Sequence, residues 1–154
     1  MKKPNKNPES PSIPDLVCAC ATVRRTARLI TQLYSHEMGG RIEPPQYALL
    51  EAINGWPGAN QTALGHALGF DKATLSRNLA VLKRNGWIAP AKAEDQREKG
   101  YKLTSSGEKL YHAAQPDWKR AQEKLQSAMT GREWKKMMKA FGLASRAAQT
   151  AILQ

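Results

Sequence analysis

Acidic side chains are scarce in this chain of 154 residues: 13 Asp and Glu stand against 24 Lys and Arg, a formal charge of +11. Such an imbalance favours a polyanionic partner, either nucleic acid or an anionic membrane surface. Long apolar runs are missing as well. None approaches the roughly 18 residues needed to span a bilayer, and the opening MKKPNKNPESPSIP lacks the apolar centre of a secretory signal. Membrane is therefore the weaker choice. Cysteine is limited to two residues, Cys18 and Cys20, which with no export signal points to a reducing, cytoplasmic compartment. The length suits a single domain with one good core or two small coupled ones.

Four of the nine prolines fall in the first 14 residues, which read as a flexible basic tail. From Asp15 the pattern is helical: Leu16, Cys20, Val23, Ala27, Ile30 and Tyr34 recur at steps of four and three. That spacing predicts a helix to about Met38, stopped by Gly39-Gly40 and about 35 Å long. EPPQYALLEAINGWPGAN predicts a shorter helix with proline in its first turn. NQTALGHALG predicts another, capped by Asn60, and the three residues GFD separate it from a helix capped by Asp71. That last helix buries Leu75, Leu79 and Leu82 and ends near Asn85-Gly86. Two helices joined by a short glycine-containing turn are the mark of a helix-turn-helix. WIAPAK and GYKLT then predict a two-stranded hairpin with Pro90 at an edge. Ser105 with Glu108, and Thr130 with Glu133, have capping-box spacing, so two more helices follow. The first keeps phase through Leu110, Ala114, Trp118, Ala121 and Leu125 and carries Pro116 inside it; the second, about 132 to 152, lines up Trp134, Met138, Phe141, Ala144 and Ala148.

The loop between the strands, KAEDQREKGYKL, holds four basic and three acidic side chains in twelve positions. A solvated hairpin tip explains such a loop taken alone. Its context is more specific. TALGHALGFDKATLSRNLAVLKRNGWIAP followed by EDQREKGYKLTSSGEKL resembles the MarR family of winged helix-turn-helix transcription regulators. The resemblance rests on the wing motif Asp95-Gln-Arg97-Glu-Lys99 and on Leu103-Thr104-Ser-Ser-Gly107, and covers about residues 15 to 152. It implies a mainly α fold with a small β-hairpin wing, organised as a basic Pro-rich tail (1–14), an N-terminal dimerisation helix (15–43), a winged helix-turn-helix (44–104) and C-terminal dimerisation helices (105–154).

The wing and the helix after GFD supply the candidate DNA contacts. Lys92, Arg97 and Lys99, with Lys102, offer cations for phosphates and for a narrow minor groove. Asp95 can hold the Arg97 guanidinium in place, and the resemblance puts Arg97 at the tip that enters the groove. In the helix, Lys72, Thr74, Ser76, Arg77 and Asn78 are candidates for the major groove, with Arg77 the best suited to a base edge. Lys83, near the helix end, suits a phosphate. Over 71–86 four bases oppose one acid.

The resemblance further implies a homodimer, whose terminal helices interleave, bound to double-stranded DNA at two half-sites roughly 34–36 Å apart. It also implies release by a small aromatic or phenolic effector, the behaviour of a repressor, from a pocket near residues such as Tyr34, Trp56 and Trp118. Other readings stay open. Cys18 and Cys20 invite a thiol switch, yet residues two apart on a helix point in opposed directions, and Cys20 on the apolar stripe reads most simply as a core residue. Cys18, Cys20, His36, His66 and His112 lack metal-ligand spacing, and no catalytic constellation or cofactor site stands out. A winged helix that docks a protein is the remaining class; its exposed faces would lean acidic or apolar.

Overall fold

The computed structural model describes residues 18–92 and 99–153. The predicted helix start at Asp15, Leu16, the tail, and the wing-tip residues Asp95 and Arg97 lie outside these.

Six helices and one hairpin follow in order: α1 (Ala19–Met38), α2 (Pro44–Gly55), α3 (Gln61–Leu68), α4 (Lys72–Arg84), β1 (Ile88–Lys92), β2 (Lys99–Leu103), α5 (Ser105–Ser127) and α6 (Gly131–Ile152). Local chemistry sets most boundaries. α1 stops at Gly39, whose φ of 60° is left-handed and suits glycine. α2 opens on Pro44-Pro45, where no backbone donor is needed, behind a Glu43 cap paired with Gln46. Asn60 Oδ1 accepts the Ala63 N–H at 2.7 Å and starts α3, and Asp71 Oδ1 accepts the Thr74 N–H at 2.9 Å and starts α4. Thr130 and Glu133 form the expected capping box of α6. The other expected box is absent. α5 is capped by Thr104, one residue earlier than Ser105, because the Thr104 hydroxyl accepts the Gly107 N–H at 3.1 Å and itself donates to the Gly86 carbonyl at 2.6 Å. Glu108 is left in the first turn of α5 without a capping role.

The core gathers Met38 and Ile42, Leu49, Leu50 and Ile53 of α2, Leu64 of α3, Leu75, Leu79 and Leu82 of α4, Ile88 and Tyr101 of the hairpin and Tyr111 and Ala114 of α5. The strands pair antiparallel from Ile88 opposite Leu103 to Lys92 opposite Lys99. Tyr101 spends its backbone groups on the other side, donating to Ala59 O at 3.1 Å and accepting from Gly58 N at 2.8 Å. Pro90, opposite Tyr101, therefore occupies a position where no ladder N–H is missed.

Within the chain α1 packs along α5. Lys124 Nζ meets Glu37 Oε1 at 2.7 Å, Arg41 reaches Asp117 at 3.4 Å, and the Tyr34 hydroxyl donates to Gln122. The stripe expected to be buried is then only partly covered: Ile30 and Tyr34 are half-buried, whereas Val23 and Ala27 are exposed. Cys20 is exposed too, so within one chain it is not a core residue. α6 buries no side chain; Met138 and Phe141 are 49% and 39% exposed.

The Glu37 carboxyl is held below its ordinary value of 4.5, first by the Lys124 hydrogen bond and then by His36. A lowered folded-state value means that its contribution to stability is complete above 4.5 and fades as pH falls through the folded value. Glu37→Gln should therefore melt below the parent at neutral pH and match it in strong acid. Thermal unfolding across pH checks this; a deficit that persists in acid would contradict it.

Candidate nucleic-acid interface

α4 is positioned by its three leucines, which turn one face into the core and leave the other outward. Lys72, Ser76 and Arg77 are exposed on its first two turns, with Thr74 and Asn78 half-buried beside them. Thr74 is the hub of this face. Its hydroxyl and then its N–H hold the Asp71 carboxyl below the usual aspartate range, its hydroxyl accepts from Arg77 Nη2 at 3.3 Å, and its carbonyl accepts from Asn78 Nδ2 at 2.9 Å. Arg77 is thereby directed along the outward face while keeping its other donors. Asn78 has turned one amide donor back onto its own helix, a common use of short polar side chains.

The hairpin sets further cations at its outer end. Lys92 and Lys99 are both exposed and directly opposite, an arrangement that is unfavourable until an anion joins it. Lys102 is exposed on β2. Lys83 does not stand free with them: its ammonium donates to the Tyr101 hydroxyl at 3.2 Å.

The Leu-Thr-x-x-Gly segment has a mechanical role here. Thr104 and Ser106 both donate to the Gly86 carbonyl, at 2.6 and 2.8 Å. Gly107 lets α5 touch the strand entry, since a Cβ there would lie 1.9 Å from the Trp87 oxygen. Gly100 does the same on the other side, where a Cβ would lie 2.1 Å from the Gly58 oxygen. Tyr101, Thr104 and Gly58 were not singled out as site residues by sequence reasoning. Thr104 did carry a signal, its place in the Leu103-Thr104-Ser-Ser-Gly107 motif, and Gly58 lies in the sequence GWPG.

A cavity of about 820 Å³ lies between α3, the start of α4 and the wing, lined among others by His66, Phe70, Lys72, Leu75, Lys99 and Tyr101. Tyr34, Trp56 and Trp118 do not line it. Trp118 instead packs on Tyr47, with ring centroids 6.1 Å apart, and Trp56 is exposed. Cys18 and Cys20 are free thiols at the start of α1. Among the described residues no group of three His, Cys, Asp or Glu could hold a metal ion, and no helix is long and apolar enough to cross a membrane.

Comparison with known proteins agrees with this geometry. Residues 42–98 match the model of the MarR family. The transcriptional regulator HosA of Escherichia coli O111:H- is 35% identical over 107 residues, covering 67% of this chain and 76% of HosA. Among solved structures, the Mycobacterium tuberculosis transcriptional regulator MosR in complex with DNA is 28% identical, over 85% of this chain and 98% of that one, with a TM-score of 0.69. The PcaV regulator of Streptomyces coelicolor, solved with its natural ligand, shares the fold at a TM-score of 0.75 and 23% identity, over 91% and 99% of the two chains.

Proposed function

The chain belongs to the MarR family of transcriptional regulators, and from that premise we propose that it is a homodimer that reads a pseudo-palindromic DNA duplex. The observation that carries this reading is the face shared by α4 and the wing. Lys72 and Lys99, from two different elements, line one cavity, and Ser76 and Arg77 stand exposed on the same helix as Lys72. Cations gathered from separate elements onto one face suit a phosphate backbone, while Arg77 and Ser76 suit base edges. The MosR complex with DNA supports the same partner. Arg97 and Asp95 keep their proposed roles at the wing tip, and residues 44–104 their role as the DNA-binding region.

Dimerisation is supported by the apolar faces that a single chain leaves open on α1 and α6. Val23 is 55% exposed, and Met138 and Phe141 lie a turn apart on α6, a pattern that marks an interaction surface. Two copies would present two α4 helices to half-sites roughly one helical turn apart. A small aromatic or phenolic effector would find apolar Phe70 and Leu75 and basic Lys72 and Lys99 among the residues lining the cavity. The thiol-switch alternative lacks comparable support: Cys18 and Cys20 are exposed at the start of α1, and neither lines the cavity beside α4 and the wing. A protein-docking role is disfavoured by the basic face.

Selection of bound fragments from a random-sequence DNA pool tests the proposal. An enriched inverted repeat with half-sites about 10 base pairs apart, centre to centre, is expected; absence of any enriched sequence would count against DNA reading. On the enriched duplex, Arg77→Ala should cost about 1–3 kcal/mol and relax selectivity at one base per half-site. A uniform loss at every position would instead make Arg77 a backbone contact.

A further inference from the structure

We infer that Lys83 is a positioning residue that ties the wing to the last turn of α4 through Tyr101, rather than one of the phosphate-gripping cations. The inference rests on the DNA-binding reading for its consequence, and on the geometry of the free chain for its mechanism.

The Lys83 ammonium is 3.2 Å from the Tyr101 hydroxyl and 4.7 Å from the ring centroid. It therefore sits at the hydroxyl end of the ring, and the hydrogen bond outweighs attraction to the ring face. Tyr101 is a fixed acceptor. It is buried, and its backbone is held to Ala59 and Gly58, so the anchor belongs to the rigid base of the hairpin. By contrast Arg84, the next residue on the same turn, is exposed and makes no ion pair or side-chain hydrogen bond among the described residues, which leaves it free for a phosphate.

The tether has a purpose because the chain passes from α4 into β1 through Gly86, whose φ of 69° is left-handed. A glycine joint of this kind permits the hairpin to pivot. Tyr101's backbone bonds to Gly58 and Ala59 hold the strand to the segment after α2, and two further attachments hold it to the end of α4: Thr104 and Ser106 on the Gly86 carbonyl, and Lys83 on Tyr101. Two separated points fix an angle that one point leaves free. The angle between α4 and the wing decides whether major-groove and backbone contacts form at once, and misplacement loses one set of them.

Lys83→Met keeps the aliphatic stem and removes the donor; Tyr101→Phe keeps the ring and removes only the hydroxyl. Binding of both variants, and of the double variant, would be measured across a salt series with the duplex that the parent enriches from a random pool. Each single change should weaken binding about three- to tenfold, and the double change no more than the worse single one, as partners in one contact require. Tyr101→Phe should leave the salt slope unaltered. Parental binding by Tyr101→Phe, together with a salt slope lowered by about one in Lys83→Met, would overturn the inference and return Lys83 to the phosphates. Amide hydrogen exchange in the free protein tests the tether without DNA: exchange over residues 99–103 should quicken in both variants, and unchanged exchange would also overturn it. A parent that enriches no duplex refutes the DNA reading alone, because the exchange measurement still decides the tether.

Discussion

Gly107→Ala should be the most damaging of the single substitutions considered, lowering stability by about 3 kcal/mol or more and the melting temperature by roughly 6–12 °C. The reason is space, not backbone conformation. An added Cβ would lie 1.9 Å from the Trp87 oxygen, 2.9 Å from its carbonyl carbon and 3.2 Å from its Cα. All three are backbone atoms, which cannot swing aside as a side-chain tip does. They cannot retreat easily either, because the same Trp87 oxygen accepts the Thr104 N–H at 3.1 Å and Gly86 is held by Thr104 and Ser106. Moving α5 away would strip α4, β1 and α5 of their common joint. Gly131→Ala is the matched control: it too lies in the first turn of a helix, but nothing approaches its Cβ position within 4 Å, so it should be neutral or slightly stabilising. Urea unfolding of the two variants checks the pair. Equal stabilities would show that the joint at Gly107 yields, and the mechanical role given to the Leu-Thr-x-x-Gly segment would fall.

Removing residues 131–154 should have the largest effect on binding. Among the described residues α6 buries no side chain, and none of its residues belongs to the core, which runs from Met38 to Ala114 with Trp118 packed against it. The shortened chain should therefore keep its folded winged helix while losing the second copy. Sedimentation at micromolar concentration should find the shortened chain a monomer and the parent a dimer. Affinity for the two-half-site duplex should fall by at least about 100-fold, since the second half-site is no longer presented at a high effective concentration. Phe141→Asp, which leaves the helix in place, should reproduce most of the loss. A shortened chain that still dimerises with parental affinity would move the interface elsewhere.

Much of this architecture was legible in the sequence because the deciding groups sit within a few residues of what they decide. Asn60, Asp71 and Thr130 cap the helices that follow them, Gly39 ends α1, and the leucines at 75, 79 and 82 face inward. The reading failed where a distant partner chose between local equivalents. Thr104 and Ser105 are both competent caps; the Gly86 carbonyl, 18 residues before Thr104, selects the first. Periodicity showed that one face of α1 is apolar but not what covers it, so Cys20 and Val23 were placed in a core that a single chain does not provide. Lys83 and Lys92 look alike as exposed cations near the wing, yet only Lys83 has a tyrosine hydroxyl within reach. The candidate site was legible by residue type, and its internal wiring was not. Asn78 and Lys83 are the examples, each drawn back by a hydrogen bond that spacing cannot reveal.

The central claim, that this chain is a sequence-reading DNA-binding protein, is tested most directly by one salt titration. Binding of the purified protein to the duplex it enriches and to a scrambled duplex of equal length would be followed by fluorescence anisotropy as salt is raised. Affinity for the enriched duplex should exceed that for the scrambled one by about a thousandfold or more at physiological salt. Both affinities should also fall steeply, with slopes set by the number of phosphates contacted. Equal affinities with a shallow salt dependence would contradict the account and leave the basic face of α4 and the wing without a nucleic-acid partner.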